Sequence, residues 1–164
     1  MGFLLPAAIV IVLDQLTKQF FWHNGRNYDV IDGFVRITLV KNAGAAFGLF
    51  QGGRLFFIAA SIVAVIFILY VGLRLPRSDW QRRLLLGAIL GGAIGNLIDR
   101  LYAGEVIDFI DIGIGAHRWP VFNVADMGVS VGATLLLIYL LRSPRHETSQ
   151  KTAADDQAAP ASAD

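Results

Sequence analysis

The chain has 164 residues, of which 55% are hydrophobic and 16% are charged, and its formal net charge is +1. A soluble domain carries about 25% charged residues, so this chain has too few charges to cover a water-exposed surface. The small net charge argues against nucleic-acid binding, which calls for a clustered basic face. The absence of cysteine excludes disulfides, thiolate metal ligands and cysteine nucleophiles.

Four long apolar stretches lie at about residues 3–22, 55–73, 84–101 and 121–141. A bilayer core of ~30 Å needs about 20 residues of helix, and the second stretch is apolar on every face, unlike an amphipathic helix of a soluble protein. The first stretch lacks the basic start of a secretory signal and contains Asp14 and Lys18, so we expect a retained helix. The pattern predicts an all-α membrane protein with a bundle of four transmembrane helices.

The segment between the first two helices, residues 23–53, is too polar to span a membrane. Residues 34–40 are rich in β-branched and aromatic side chains, which favours a strand, and small residues follow from Asn42. We expect a small β-element at about residues 28–50 on the outer, periplasmic face. Residues 1–142 are predicted to form one membrane domain, and residues 143–164 a disordered cytoplasmic tail.

The orientation of the bundle is predicted from its basic residues. An even number of helices places both termini on one side, and cytoplasmic loops are enriched in arginine and lysine. Arginines concentrate around the second connection and after the fourth helix, at Arg74, Arg77, Arg82, Arg83, Arg142 and Arg145. We therefore expect both termini in the cytoplasm and residues 23–53 and 102–120 outside.

Ionisable groups in the apolar stretches are candidates for function because they are costly in lipid. Asp14 and Lys18 are four residues apart on one helical face, which predicts a structural ion pair with Lys18 extending to the membrane interface. Asp99 continues a stripe of glycines that favours close helix packing. These glycines are Gly87, Gly91 and Gly95.

Two Asn-x-x-Asp pairs lie at the outer ends of the last two helices. Asn96 precedes Asp99 by three residues, and Asn123 precedes Asp126 by three. Between the pairs lies an apolar segment that carries two more aspartates, Asp108 and Asp111. We expect Asp111 to be a solvated loop charge.

The available side chains restrict the possible chemistry. His23, His117 and His146 lack the spacing of a zinc site, and no base lies near Ser130 in the sequence. Two carboxyl groups that share a proton can hydrolyse a peptide without metal or cofactor, because one activates water while the other polarises the carbonyl. Spacing leaves four aspartates open for this pair: Asp99, Asp108, Asp111 and Asp126.

Five blocks of the chain resemble, in order and spacing, those of the lipoprotein signal peptidase (signal peptidase II) family. They are residues 12–18, 42–47, 92–100, 105–109 and 122–126. The resemblance implies that Asp108 and Asp126 are the catalytic pair of an aspartic peptidase with neither metal nor cofactor. It implies supporting or substrate-binding roles for Asp14, Lys18, Asn42, Gly44, Asn96, Asp99, Arg100, Asn123 and Ala125.

The resemblance also implies the substrate and the location. The substrate would be a bacterial prolipoprotein that carries diacylglycerol on its lipobox cysteine, cut just before that cysteine in the inner membrane. A small transporter or ion-conducting protein is the alternative, with Asp14, Lys18, Asp99 and Arg100 in a proton path.

The two aspartates of the implied pair are expected to divide the work. Asp126 should lie in the first turn of the fourth helix, where the helix dipole favours a negative charge. Asp108 lies among apolar residues, where desolvation favours the neutral acid. We therefore predict that Asp126 starts as the base and that Asp108 starts protonated.

Overall fold

The computed structural model describes residues 2–44 and 53–142. The predicted tail at 143–164 and the predicted end of the outer element at 45–50 lie outside these residues. The elements in chain order are α1 (Leu4–Asn24), β1 (Tyr28–Ile31), β2 (Val35–Asn42), α2 (Arg54–Arg74), α3 (Trp80–Tyr102), β3 (Val106–Ile114), β4 (His117–Arg118) and α4 (Val124–Arg142).

The four helices have 19 to 23 residues, and all are long and apolar enough to cross a membrane. This confirms the predicted bundle, although two helix starts differ from the prediction. Helix α3 begins before residue 84 because the Asp79 carboxylate caps it by accepting a hydrogen bond from the Arg82 amide. Helix α4 begins after residue 121 because Phe122 pairs with Ile110 of β3 instead.

Helix α3 packs against each of the other three helices. Its glycines allow this close approach, since a Cβ on Gly91 would lie 2.6 Å from the Ala7 carbonyl oxygen of α1. On the neighbouring face, a Cβ on Gly92 would collide with the Ala125 carbonyl of α4. The prediction that the glycine stripe serves helix packing is therefore confirmed. At the end of the bundle away from the sheet, the helices enclose a small apolar core with Phe3 and Leu90.

The strands form one antiparallel sheet in the order β1-β2-β3-β4. Strand β2 pairs with β3 so that Val40 lies opposite Asp108 and Asn42 opposite Val106. The chain enters and leaves this sheet through the C-terminal ends of α1 and α3 and the N-terminal end of α4, so the sheet covers one end of the bundle. The predicted β-element is confirmed here, but the sheet also includes β3 and β4, which lie in the segment that was expected to be a loop.

Asp111 corrects a second expectation about the same segment. It lies on β3, is only 9% exposed, and pairs with Arg118 of β4 at an Nε–Oδ1 distance of 2.9 Å. The expectation of a solvated loop charge is wrong because the strand turns this side chain toward a partner that neutralises it.

Candidate active site

The end of the bundle next to the sheet contains a group of polar side chains that are almost completely shielded from solvent. They come from α1, α3, β3 and the start of α4, and they are Asp14, Lys18, Asp99, Asp108 and Asn123. Burying charge is costly unless the groups are paired and hydrogen-bonded. Such a cluster in a membrane protein is a candidate functional site.

Asp108 and Asp126 are held by three asparagines. The Asp108 carboxyl group accepts hydrogen bonds from Asn42 Nδ2 at 3.0 Å and from Asn123 Nδ2 at 2.7 Å. The Asp126 carboxyl group accepts hydrogen bonds from Asn96 Nδ2 at 2.7 Å and from the backbone amide of Asn123 at 3.2 Å. Asn123 therefore contacts both carboxyl groups and fixes their positions relative to each other.

The start of α4 explains why Asp126 has a defined orientation. The Asp126 amide donates to Asn123 Oδ1 at 2.9 Å, and the Asn123 amide donates back to the Asp126 carboxylate. This reciprocal pattern is that of a capping box. The side chains of Asn123 and Asp126 therefore both cap α4 and form part of the candidate site. Asp126 lies in the first turn of α4, as predicted.

The surroundings of Asp108 change its proton affinity. Burial raises the pKa of Asp108 to about 6, the hydrogen bonds from Asn42 and Asn123 act against that shift, and the charge of Asp126 adds to it. A carboxyl group with this pKa exchanges its proton near neutral pH, which suits an acid that starts the reaction protonated.

A second set of charges lies beneath the asparagines. Lys18 Nζ is 2.8 Å from the Asp14 carboxylate and 2.7 Å from that of Asp99. The predicted ion pair is therefore confirmed, but the expectation that Lys18 extends to the interface is wrong. Its side chain is 2% exposed because two buried carboxylates hold it inside the bundle.

Lys18 also determines which way Asn96 faces. Its ammonium donates to Asn96 Oδ1 at 3.1 Å, and Asn123 Nδ2 donates to the same oxygen at 3.1 Å. With its oxygen occupied by two donors, Asn96 presents its NH2 group to Asp126.

Asp14 and Asp99, which lie behind the asparagines, accept hydrogen bonds from the backbone of other chain segments. Asp14 accepts a hydrogen bond from the backbone amide of Ala125 at 2.9 Å, and Asp99 accepts one from the amide of Ile107 at 3.2 Å. They fix the residues just before Asp126 and Asp108. Ala125, which is fully buried, contributes through its backbone.

Gln15 is a member of this network that the sequence analysis missed. Its Nε2 lies 3.2 Å from Asp14 Oδ2, 3.3 Å from the Gly95 carbonyl oxygen and 3.1 Å from Asp99 Oδ1. An amide inside an apolar helix, directly after a buried aspartate, was the available signal.

A cavity of about 940 Å³ opens above the asparagines, and both Asp108 and Asp126 lie on its wall. Asn42, Gly44, Asn96 and Arg100 line it as well, while Asp14, Lys18 and Asp99 lie behind these residues. The Gly44 amide donates to Asn42 Oδ1 at 3.0 Å, which leaves the Asn42 NH2 group for Asp108. The small residues predicted after Gly44 lie outside the described part of the chain.

The cavity continues along α4 past Asp126 and includes Ser130, which was considered from the sequence only as a nucleophile without a nearby base. Met127 and Val131 line it here and are 46% and 54% exposed, so the cavity is continuous with the lipid-facing surface. Among residues 2–44 and 53–142, no group of three potential ligands that could hold a metal ion occurs.

The fold and the site together define a helical multi-pass membrane protein that holds two aspartates, Asp108 and Asp126, on the wall of one cavity. A family model described as signal peptidase (SPase) II matches residues 6–142. The chain belongs to the signal peptidase II family.

Known relatives are similar to this chain over most of their length. A lipoprotein signal peptidase from Syntrophus aciditrophicus is 39% identical over 155 residues, which cover 89% of this chain and 96% of the relative. One from Desulfitobacterium hafniense is 43% identical over 147 residues, covering 87% and 95%. A solved structure described as a bacterial membrane enzyme is 33% identical, with a TM-score of 0.80 over 90% of this chain and 92% of that chain.

Proposed function

We propose that this protein is an aspartic endopeptidase that cuts diacylglyceryl-modified prolipoproteins just before the lipidated cysteine, with Asp108 and Asp126 as its catalytic pair. Membership of the signal peptidase II family makes the chain a peptidase that removes signal peptides from prolipoproteins. The aspartic mechanism, the assignment of residues and the exact cut are the proposed part. The supporting residues are Asp14, Lys18, Asn42, Gly44, Asn96, Asp99, Arg100, Asn123 and Ala125.

One observation carries the choice of residues. Of the four aspartates that spacing left open, Asp108 and Asp126 line the cavity, whereas Asp99 is occupied by Lys18 and Asp111 by Arg118. Both cavity aspartates are hydrogen-bonded to Asn123. The charge of Asp126 raises the pKa of Asp108, and two carboxyl groups that interact in this way favour sharing one proton over ionising together.

The reaction follows from the protonation that each site favours. Asp126, at the positive N-terminal end of α4, accepts a proton from a water molecule as the water oxygen attacks the scissile carbonyl carbon. Asp108 donates its proton to the carbonyl oxygen. The tetrahedral intermediate collapses when the carbon–nitrogen bond breaks and Asp126 returns its proton to the leaving amine, while Asp108 recovers the other proton.

The shape of the cavity suits a substrate that is anchored in lipid. Its wall continues along α4 past Met127 and Val131, two side chains on the lipid-facing surface. A diacylglyceryl group in the outer leaflet would keep the cysteine near this opening. The proposed location is the bacterial inner membrane, with both termini cytoplasmic and the site near the outer face.

The alternative of a transporter or ion-conducting bundle is not favoured. Such proteins hold their polar groups near the midplane of the membrane, often at broken helices. Here Lys18, Asp99 and Asn123 gather at the end next to the sheet.

The test is cleavage of a purified diacylglyceryl prolipoprotein by single variants. Asp108→Asn and Asp126→Asn should each keep a near-normal melting temperature and reduce kcat by at least about 10²–10⁴-fold. Asp32→Asn, on the exposed turn between β1 and β2, is the matched control and should keep full activity. A variant with both Asp108 and Asp126 replaced that still cleaves the substrate would end the aspartic-peptidase proposal.

A further inference from the structure

The C-terminal end of α3 is fastened by the first residue of α2. The last carbonyl oxygens of a helix have no hydrogen-bond donor within the helix itself, and Arg54 provides two donors for them. Its Nε lies 3.1 Å from the Arg100 carbonyl oxygen and its Nη2 3.2 Å from that of Leu101. The guanidinium also places positive charge at the negative end of the helix dipole.

The chain turns sharply at this point, and the turn accommodates Arg54. Gly104 has a φ of 83°, and a Cβ there would lie 3.2 Å from Arg54 Nη1. A glycine in this left-handed conformation lets the chain leave α3 toward β3 while the guanidinium lies against it. Arg54 therefore packs where α3 continues into the strand that carries Asp108.

A second residue of α2 contacts the side chain of Arg100. The Phe57 ring centroid is 5.3 Å from Arg100 Cζ, within the ~6 Å range of a cation–π interaction. On its other side, Arg100 Nη1 donates to the Asn96 carbonyl oxygen at 3.4 Å. The guanidinium is thus held between its own helix and a ring on α2, on the wall of the cavity that contains both aspartates.

We propose that Arg54 and Phe57 are positioning residues for the reaction. Arg54 fixes the backbone of Arg100 and Phe57 contacts its guanidinium, which together keep this charge on the cavity wall that Asp108 and Asp126 share. The inference rests on the proposed function, in which these two aspartates react. A fixed cation near the pair favours its ionised forms. Arg54 and Phe57 would then set the pH interval in which one carboxyl group is ionised while the other keeps its proton.

The pair is also near other charges. Lys18 is paired with Asp14 and Asp99, and its charge also lowers the pKa of Asp108, but the contacts that hold it come from α1 and α3 and not from α2. The charged groups that line the cavity or pack beneath it are Asp14, Lys18, Lys41, Asp99, Arg100, Glu105, Asp108 and Asp126. Among the described residues, Lys41 is the second cation on the cavity wall, and its ammonium lies 4.9 Å from the Trp22 ring centroid. Of these charged groups, Arg100 is the one for which contacts with α2 are described, through Arg54 and Phe57.

The experiment is the pH dependence of kcat/KM for the full-length enzyme with a diacylglyceryl prolipoprotein. In Phe57→Leu and Arg54→Gln, a less constrained Arg100 should move both limbs of the profile to higher pH by about 0.5–1 unit, a fraction of the ~1–3 unit effect of a cation at close range. The variants would lose rate on the acidic side and keep it on the alkaline side. Phe57→Tyr retains the ring and should restore the wild-type profile.

Phe56→Leu is the matched control. The Phe56 ring lies edge-on to Phe57 with centroids 5.4 Å apart and is largely exposed, so its removal should leave both limbs in place. If Phe57→Leu does not fold, Arg54→Gln decides, since the Arg54 side chain is exposed.

Two results would overturn parts of the argument separately. Lower melting temperature and lower rate in Phe57→Leu and Arg54→Gln, with unshifted limbs, would give these residues a structural role only and end the inference. Retained activity in Asp108→Asn or Asp126→Asn would instead end the proposed function on which it rests.

Discussion

Single amide side chains control the two carboxyl groups of the candidate site. Asn123, which is fully buried, donates to Asp108 through its NH2 group and accepts from the Asp126 amide through its oxygen. An aspartate at this position would lose the donor and add a third carboxylate. Asparagine is therefore required at position 123, because both its NH2 group and its oxygen are used.

The first prediction concerns Asn42, which donates to the Asp108 carboxyl group. Because the pKa of Asp108 is raised to about 6, its acidic proton is present below that pH and is lost as the pH rises through it. The alkaline limb of kcat/KM should therefore lie near pH 6. Asn42→Ala removes a hydrogen bond that favours the ionised form, so it should move this limb to higher pH and reduce kcat.

A matched asparagine provides the control for this measurement. Asn27 accepts a hydrogen bond from the Leu39 amide in the same sheet, and none of its described contacts is with Asp108 or Asp126. Asn27→Ala should keep the wild-type limb. An alkaline limb that does not move in Asn42→Ala would show that this hydrogen bond does not tune Asp108.

The second prediction concerns Lys18, which neutralises two buried carboxylates. Lys18→Met would leave Asp14 and Asp99 buried without a cation, at a cost of about 3–5 kcal/mol in the free energy of unfolding. Thermal unfolding in detergent should show the loss. Lys41→Met, which removes a more exposed lysine, should change stability little, and Lys18→Met combined with Asp99→Asn should recover part of the loss. Equal melting temperatures for the two lysine variants would contradict this account.

At the scale of elements, α3 determines how the bundle assembles, because its neighbours α1, α2 and α4 all pack against it. Its glycines bring α1 and α4 to backbone contact, as at Gly91 and Gly92. Close backbone contact is how helices associate where lipid supplies no hydrophobic driving force. The same contacts bring Asp14 of α1 and Ala125 of α4 within hydrogen-bonding distance.

The third prediction tests this packing with Gly91→Leu. A Cβ at Gly91 would lie 2.6 Å from the Ala7 carbonyl oxygen and 2.8 Å from Val10 Cβ, so α1 and α3 would have to separate. We expect a lower melting temperature and a loss of activity, since Asp14 and Lys18 move with α1. Ala60→Leu, on an exposed face of α2, is the control and should leave both unchanged. A stable, active Gly91→Leu variant would show that the contact between α1 and α3 is not tightly packed.

Strand β3, with the short β4 beside it, was not predicted from the sequence. Five of the seven residues 106–112 are β-branched or aromatic, a composition typical of a strand. Asp108 and Asp111 are three residues apart, so they break the alternation of period two by which a half-buried strand is recognised. The strand matters because its pairing with β2 places Asn42 close to Asp108.

At the scale of the whole molecule, the bundle has two distinct ends. The sheet and the candidate site occupy one end, while the turn between α2 and α3 and the apolar core around Phe3 occupy the other. A substrate with its scissile bond near one face of the membrane needs a site at one end only.

The fourth prediction is that these two ends lie on opposite sides of the membrane. Reporter fusions at Arg77, in the turn between α2 and α3, and at His117, in β4, should report the cytoplasm and the outside respectively. The physical reason is the concentration of arginines near the first position. Both fusions reporting one side would contradict the four-helix topology, and exchanged sides would reverse the proposed orientation.

The elements that depend on local composition and length could be predicted from the sequence. Four apolar stretches predicted four spanning helices because lipid requires about 20 apolar residues for each. The i,i+4 spacing of Asp14 and Lys18 predicted their ion pair, which forms at 2.8 Å. The resemblance, rather than spacing, distinguished Asp108 and Asp126 from the other aspartates, and that assignment remains a prediction.

Which polar groups meet depends on long-range packing and could not be predicted from local spacing. Lys18 reaches Asp99, 81 residues away in the chain, and lies inside the bundle because two carboxylates there replace the solvation that it would have at the interface. Gln15 is part of the same cluster, whereas Asp111 lies outside it and pairs with Arg118. These choices depend on the packing of α1 and α4 against α3 and on the register of β2 with β3. Local spacing determines which side chains share a face, while long-range packing determines what that face meets.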